Sequence, residues 1–341
     1  MRSTSARLGV LVMTAAVMVG CVSAPLTPDG EAAARPTPSP PSSLTQETTD
    51  TQGTPQSPQP DLPEKADVVR TAASTDRWVV AVGDISACSE TADEVVAGLV
   101  GTMSAATLLT LGDNAYPDGS TDDYASCHAP RWGAFKGRTR PVPGNHDYRT
   151  SNAAPYYAYF GAAAGDPAKG WYSYDLGLWH MVALNSNCTE AGGCGAGSPQ
   201  EQWLRADLWA HRGHACTLAY MHHPRFSSGD HGPQGEVDAL WRALYAARAD
   251  VVLSGHDHDY ERFAPQTPDG TQVSNGIRQF VVGTGGASLR SFRSTEPNSV
   301  YRQSTAFGAL RLYLGARGYA WTFLNTGGSA MDSGSFPCAT S

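Results

Sequence analysis

The sequence predicts an α/β domain, and three observations predict it. Three short apolar runs, "RWVVAVGD" (Arg77–Asp84), "AATLLTLGD" (Ala105–Asp113) and "ADVVLSGHD" (Ala249–Asp257), each end in Gly followed by polar residues. Continuous apolar runs of this length suit strands buried on both faces. Stretches with helical periodicity lie between them, and a further group of segments reads as antiparallel strands.

Each element has its own signal. Thr91 and Glu94 have capping-box spacing, and Val95, Val96, Leu99 and Val100 follow on one expected stripe. Ser198-Pro199-Gln200-Glu201 is a second box, with Pro at the first helical position. Val237, Leu240, Trp241, Leu244 and Tyr245 give a third helical stripe. Antiparallel strands are expected in "WYSYDLG", "LWHMVALNSN", "CTLAYMHHP", "IRQFVVGTGG" and "ALRLYLGARGYAWTFLN". The last contains a hairpin turn at Gly315-Ala316-Arg317-Gly318. No solenoid repeat and no second linker interrupts residues 76–341, which are expected to form one domain.

The N-terminal part reads differently. Arg2 and Arg7 precede an apolar run from Leu8 to Gly20, too short to span a bilayer and laid out like a secretory signal. Residues 1–20 are therefore expected to be a signal peptide. Val19-Gly20-Cys21 resembles a bacterial lipobox, which would lipidate Cys21; the alternative is cleavage after Ala24. Residues 21–75 are rich in Pro, Ser, Thr and Gln and are expected to be a disordered linker. An extracytoplasmic location follows, either as a cell-surface lipoprotein or as a secreted protein.

Composition narrows the partners. The 341 residues carry a formal net charge of -8, so a general nucleic-acid surface is not expected. A membrane is expected to be met only through a lipid on Cys21, and the chain is expected to be a monomer. Of seven Cys, Cys21 stands apart and six remain, an even number that suits disulfides after export. Cys188 and Cys194 flank a Gly-rich loop and are expected to pair. Cys88 and Cys127 each follow a strand-end motif, and Cys216 with Cys338 is left by elimination. No C-x-x-C spacing supports a zinc cluster.

Polar clusters follow the strands: Gly83-Asp84, "GDNAY" (Gly112–Tyr116), "GNHD" (Gly144–Asp147), "MHHP" (Met221–Pro224) and "GHDH" (Gly255–His258). In α/β sheets ligands bind at the carboxyl ends of strands. Five of the ten His fall in these few residues. Singly, each cluster has an ordinary reading as a turn, a cap or a hydrogen-bonded His. Together they offer carboxylate oxygen and imidazole nitrogen, the donor mixture of borderline divalent metals and iron. His256 and His258 are two apart on an extended segment and share a face.

The order GD, GDxxY, GNHD, a strand ending in His, then GHxH resembles the calcineurin-like metallophosphoesterases, and more narrowly their purple acid phosphatase branch. The resemblance runs from Asp84 to His258. It implies that fold, two packed mixed β-sheets flanked by helices in an αββα sandwich. Many relatives carry Asp-x-His in the first motif; here Ser86 stands two after Asp84, and Tyr116 takes the place of the branch's tyrosine. The branch usually has GDxG where this chain has Gly83-Asp84-Ile85-Ser86. The resemblance implies one ion on Asp84, Asp113, Tyr116 and His258, and another on Asp113, Asn145, His222 and His256, with Asp113 bridging. A phenolate favours Fe(III); the second ion would be Zn, Fe or Mn. His223 is given a supporting role.

The expected function is a phosphoric ester hydrolase, foremost a phosphomonoesterase on a small phosphoester, using a metal-bound hydroxide as nucleophile. His146 and His231 are expected to act as catalytic acids toward the leaving group or substrate. A phosphodiesterase or nucleotidase with the same site is one alternative, and a non-catalytic surface-binding lipoprotein is another. "VGTGGAS" (Val282–Ser288) offers backbone N–H groups to an anion or is simply a turn. Arg149 and Arg262 read as phosphate-steering or structural, and Asp257 and Asp259 as orienting the imidazoles or facing water.

Overall fold

The computed structural model describes residues 77–339. The expected signal peptide, Cys21 and the linker lie outside the described residues. The strands in chain order are β1 (Arg77–Val82), β2 (Ser86–Ala87), β3 (Thr107–Leu111), β4 (Ala115–Tyr116), β5 (Thr139–Val142), β6 (Tyr172–Leu176), β7 (Trp179–Ala183), β8 (Cys216–Tyr220), β9 (Val251–Ser254), β10 (Tyr260–Phe263), β11 (Arg278–Val282), β12 (Ser299–Gln303), β13 (Gly308–Gly315), β14 (Gly318–Asn325) and β15 (Ala330–Pro337). One sheet has the order β15-β14-β13-β1-β3-β5 and the other β12-β10-β11-β9-β8-β7-β6. In the first sheet β1, β3 and β5 are parallel up to the β5 edge and the remaining pairs are antiparallel; in the second β7, β8, β9 and β11 form a parallel centre between antiparallel outer pairs.

Burial explains the apolar runs. Val79 and Ala81 face the second sheet, meeting a core that includes Trp179, Met181, Leu218, Val251 and Leu253. Val80 and Val82 point the other way, toward the helix Ala92–Gly101. Val182, Ala219 and Val252 likewise turn outward, under Leu204, Leu208, Leu240, Trp241 and Leu244 of the helices Pro199–Ala210 and Asp238–Ala246. Both faces of the central strands are covered, which is why alternation is absent there. The layers are helix, sheet, sheet, helix, as predicted.

Three local expectations are corrected. β8 is parallel to both neighbours, and β7 and β11 are antiparallel on one side only. The helices Pro199–Ala210 and Asp238–Ala246 connect β7 to β8 and β8 to β9 as crossovers, which return the chain parallel. Thr91 makes no side-chain cap, and Val95 is 53% exposed. The helix instead buries Asp93, which receives Arg131 on both oxygens at 2.9 Å, alongside Val96, Ala97, Leu99 and Val100. That ion pair turns Val95 outward. At Ser198 the cap forms: its Oγ accepts from the Glu201 N–H at 3.3 Å, and Glu201 reaches back one residue further, to the Gly197 N–H.

The hairpin β13–β14 turns between Gly315 and Gly318 as expected. The disulfides are Cys88–Cys127, Cys188–Cys194 and Cys216–Cys338, with Cα separations of 4.9, 5.1 and 5.6 Å.

Candidate metal centre

The polar clusters converge at the carboxyl ends of β1, β3, β5, β8 and β9, where the two sheets face each other. The chain reaches this arrangement through an uncommon backbone. Asp84, Asp113 and His256 all have left-handed φ, at 59°, 49° and 73°. Such non-Gly conformations cost on the order of 1–3 kcal/mol each and collect at functional sites. Glycines make room beside them. A Cβ on Gly144 would lie 2.1 Å from Asp113 Oδ1, and one on Gly112, at φ 87°, would lie 2.5 Å from His222 Nδ1.

Two groups of donor atoms result, sharing Asp113. In the first, the Tyr116 hydroxyl lies 3.0 Å from Asp84 Oδ1, 2.9 Å from Asp113 Oδ2 and 3.2 Å from His258 Nε2. In the second, His222 Nε2 lies 3.5 Å from Asp113 Oδ2, 3.0 Å from Asn145 Oδ1 and 3.3 Å from His256 Nδ1. All seven residues named from the sequence for this site are thus brought together. The free nitrogens are set from behind: His222 Nδ1 donates to the Leu111 carbonyl and His258 Nδ1 to the Ser288 carbonyl, each at 2.8 Å. A carbonyl can only accept, so Nδ1 carries a proton in both rings; the neutral His258 keeps its Nε2 lone pair toward the centre, whereas at His222 an ion would displace the Nε2 proton that the two carboxylates retain.

The electrostatics call for a cation. Asp84 and Asp113 are buried, and no Lys or Arg is among the groups that set their ionisation. Burial, reinforced by the Asp113 charge, pushes Asp84 up to about 8. Burial also works against charge on Asp113, but His222 outweighs it and holds that carboxyl below its usual range. His222 is raised to about 9: the two carboxylates overcome its burial. Burial pushes His256 down and His258 down to about 4, leaving both neutral. Hard oxygen donors beside neutral imidazoles fit one or two di- or trivalent ions, which would replace the proton that Asp84 otherwise keeps.

His146 and His231 flank this centre. The His146 N–H donates to Asp113 Oδ1 at 2.7 Å, and its Nδ1 donates to the Pro117 carbonyl. Its Nε2 then faces Asp113 Oδ2 at 3.9 Å. The His231 ring stacks on His256 with centroids 4.3 Å apart, and its Nε2 accepts from Arg290 at 2.8 Å. His223 lies between His222 and His256, its Nδ1 against the Ser186 hydroxyl at 2.9 Å.

Several further residues support the centre. Asp147 accepts from Gly144 N–H, Tyr124 Oη and Asn114 Nδ2 at 2.8, 2.7 and 3.0 Å, tying the GNHD loop to the GDNAY loop. Asp257 orients no imidazole. It accepts from Ser227 Oγ and, at 2.6 Å, from the His231 N–H, and so anchors the loop that carries His231. Asp259 is buried rather than facing water, and its carboxyl is pushed well up by burial and by Asp257. Arg290, which reaches His231 from 59 residues away, lies in none of the strand-end motifs. The "VGTGGAS" N–H groups of Gly283, Gly285 and Ala287 are spent on the carbonyls of Asp259, Gly83 and Asp84. Arg149 bonds Pro117 O, and Arg262 pairs with Asp332 at 2.7 Å, so both are structural.

A sandwich of two mixed sheets with this strand-end cluster defines a metallophosphoesterase class. The chain belongs to the calcineurin-like phosphoesterase family, whose profile matches residues 77–260. Within it the chain is similar to purple acid phosphatases. It is 31% identical to purple acid phosphatase 21 of Arabidopsis thaliana over 55% of this chain and 48% of that protein. It is 24% identical to the probable inactive purple acid phosphatase 1 of the same plant, over 55% of this chain and 37% of that protein. The chain thus spans about half, or less, of these relatives. A purple acid phosphatase from yellow lupin (Lupinus luteus) seeds shares the fold, with a TM-score of 0.65 and 17% identity over 78% of this chain and 54% of that one.

Proposed function

We propose that this chain is an exported dinuclear-metal phosphoric ester hydrolase that prefers phosphomonoesters. The convergence of Asp84, Asp113, Tyr116, Asn145, His222, His256 and His258 carries the reading, with the first four-residue set (Asp84, Asp113, Tyr116, His258) for Fe(III) and Asp113 shared. Two bound cations would supply charge neutralisation and an activated water. The chain's own groups do the rest. His146, with Nδ1–H on the Pro117 carbonyl, turns Nε2 toward the centre; only in its imidazolium form does Nε2 carry a proton for the leaving oxygen, a form that burial disfavours and the Asp113 charge favours. His231, held by Asp257 and Arg290, faces the substrate from the opposite rim. Three disulfides support an oxidising, extracytoplasmic location.

The test uses the full chain, its bound metals, and paired chromogenic substrates. Two ions per chain and faster hydrolysis of p-nitrophenyl phosphate than of bis(p-nitrophenyl) phosphate are expected. A full metal complement with neither substrate cleaved would sink the enzyme reading; a faster diester would sink the monoester preference.

Tyr116 makes a separate prediction. Phenolate bound to Fe(III) gives visible charge-transfer absorption, so Tyr116→Phe should bleach the protein and lower its iron content. Colour and iron unchanged in the variant would remove Tyr116 from the centre.

A further inference from the structure

A second His-rich cluster lies at the opposite end of β8. His214 precedes that strand and His222 follows it, so roughly 20 Å of extended chain separates this cluster from the centre described above. His180 comes from β7, Asp175 from β6, Asp207 from the helix Pro199–Ala210, and His211 from the residue that ends that helix.

His211 and His214 each have Nδ1 against a backbone carbonyl, whereas His180 has a carboxylate on both nitrogens. His180 Nε2 donates to Asp207 Oδ2 at 2.8 Å, leaving Nδ1 at 2.9 Å from Asp175 Oδ1. His211 Nδ1 donates to the Asp207 carbonyl at 2.8 Å, so its lone pair sits on Nε2. His214 Nδ1 faces the Leu178 carbonyl at 3.4 Å, and its Nε2 lies 3.4 Å from Asp175 Oδ1. Metal-binding histidines are held this way, with the far nitrogen fixed by a carboxylate or a backbone carbonyl. Single donor atoms of Asp175, His180 and His211 all lie within 4.8 Å of one another. The His180 and His211 rings stack at 3.9 Å. His180 is buried, whereas the side chains of His211 and His214 are 34% and 24% exposed, which gives an ion a way in.

We propose that Asp175, His180, His211 and His214 form a peripheral binding site for a zinc-class divalent ion. Three imidazole nitrogens and one carboxylate oxygen suit that class, whereas Ca²⁺ and Mg²⁺ favour all-oxygen shells. Binding turns the His211 ring out of its stack. It also displaces the Nδ1 proton that His180 shares with Asp175, because a histidine nitrogen binds a metal only without its proton, so uptake weakens in acid.

The test compares Zn²⁺ bound per full chain, by elemental analysis after dialysis at fixed free Zn²⁺, between wild type and a His211→Ala/His214→Ala variant. One ion fewer in the variant is expected, with uptake in the wild type falling at lower pH. The readout is a difference between two chains, so it stands whatever the strand-end centre holds. Asp175→Asn changes a single half-exposed side chain and is expected to weaken Zn²⁺ binding ~10-fold or more. Equal Zn²⁺ in all three proteins would overturn the proposal and leave the cluster a pair of His180 ion pairs.

Discussion

Asp113→Asn is expected to cost the chain bound metal and to lower kcat/KM by more than the ~10²-fold typical of losing an outer-sphere partner. Asp113 is the one residue placed in both donor sets. Its Oδ2 meets Tyr116 and His222, while its Oδ1 holds the His146 N–H. The substitution is well suited to the question. Asn tolerates the left-handed φ that Asp113 adopts, and it keeps an oxygen for the His146 N–H. Backbone and volume are preserved, the charge is removed, and the Oδ2 that accepts from Tyr116 becomes a donor NH2. The metal-free protein should melt below the wild-type temperature at neutral pH, because His222 holds the Asp113 carboxyl ionised and the substitution leaves that buried imidazole with one charged partner fewer. Added metal should raise the variant's Tm less than the wild type's, since ligand binding stabilises by mass action. Metal analysis, thermal melts with and without metal, and hydrolysis of a phosphomonoester check the three parts. A variant that kept both ions and wild-type turnover would end the bridging role of Asp113.

How much of this was legible in the sequence follows from distance along the chain. Asp84, Asp113, His222 and His256 each stand one to three residues beyond an apolar run, so their place at a strand end could be read locally. The layer architecture could also be read, because Val79–Val82 and Val251–Leu253 are apolar on both faces. Strand direction was harder. Cys216-Thr217 interrupts the run of β8, and its parallel neighbours are set by helices elsewhere. Val95 was misassigned because an ion pair to Arg131, 38 positions from Asp93, fixes the rotation of its helix. The locks between loops were invisible for the same reason. Asn114 meets Asp147 across 33 residues, and Asp257 meets His231 across 26. No local pattern announces such pairs. They depend on the fold already being formed, and they are what holds the strand-end donors in register.

The covalent links carry the largest stability prediction. Removing Cys216–Cys338 by a double Ser substitution is expected to cost about 5 kcal/mol, against about 2 kcal/mol for Cys188–Cys194, on loop-closure entropy. The reason is loop length. The first bond joins residues 122 apart, the second residues 6 apart. Cys216 opens β8 in one sheet, and Cys338 follows β15, the edge strand of the other. The bond therefore ties the chain's last strand to the opposite sheet. The neighbouring Ala339 N–H is bound to Asp250, whose other oxygen caps the start of β8 at the Thr217 N–H. Urea unfolding of the two double variants, beside oxidised wild type, measures the difference. Equal losses would show that loop closure is not the source. The same comparison bears on export. A chain made and kept in a reducing compartment would lack the whole contribution, so wild type purified under strong reductant should unfold near the Cys216→Ser/Cys338→Ser midpoint or below it.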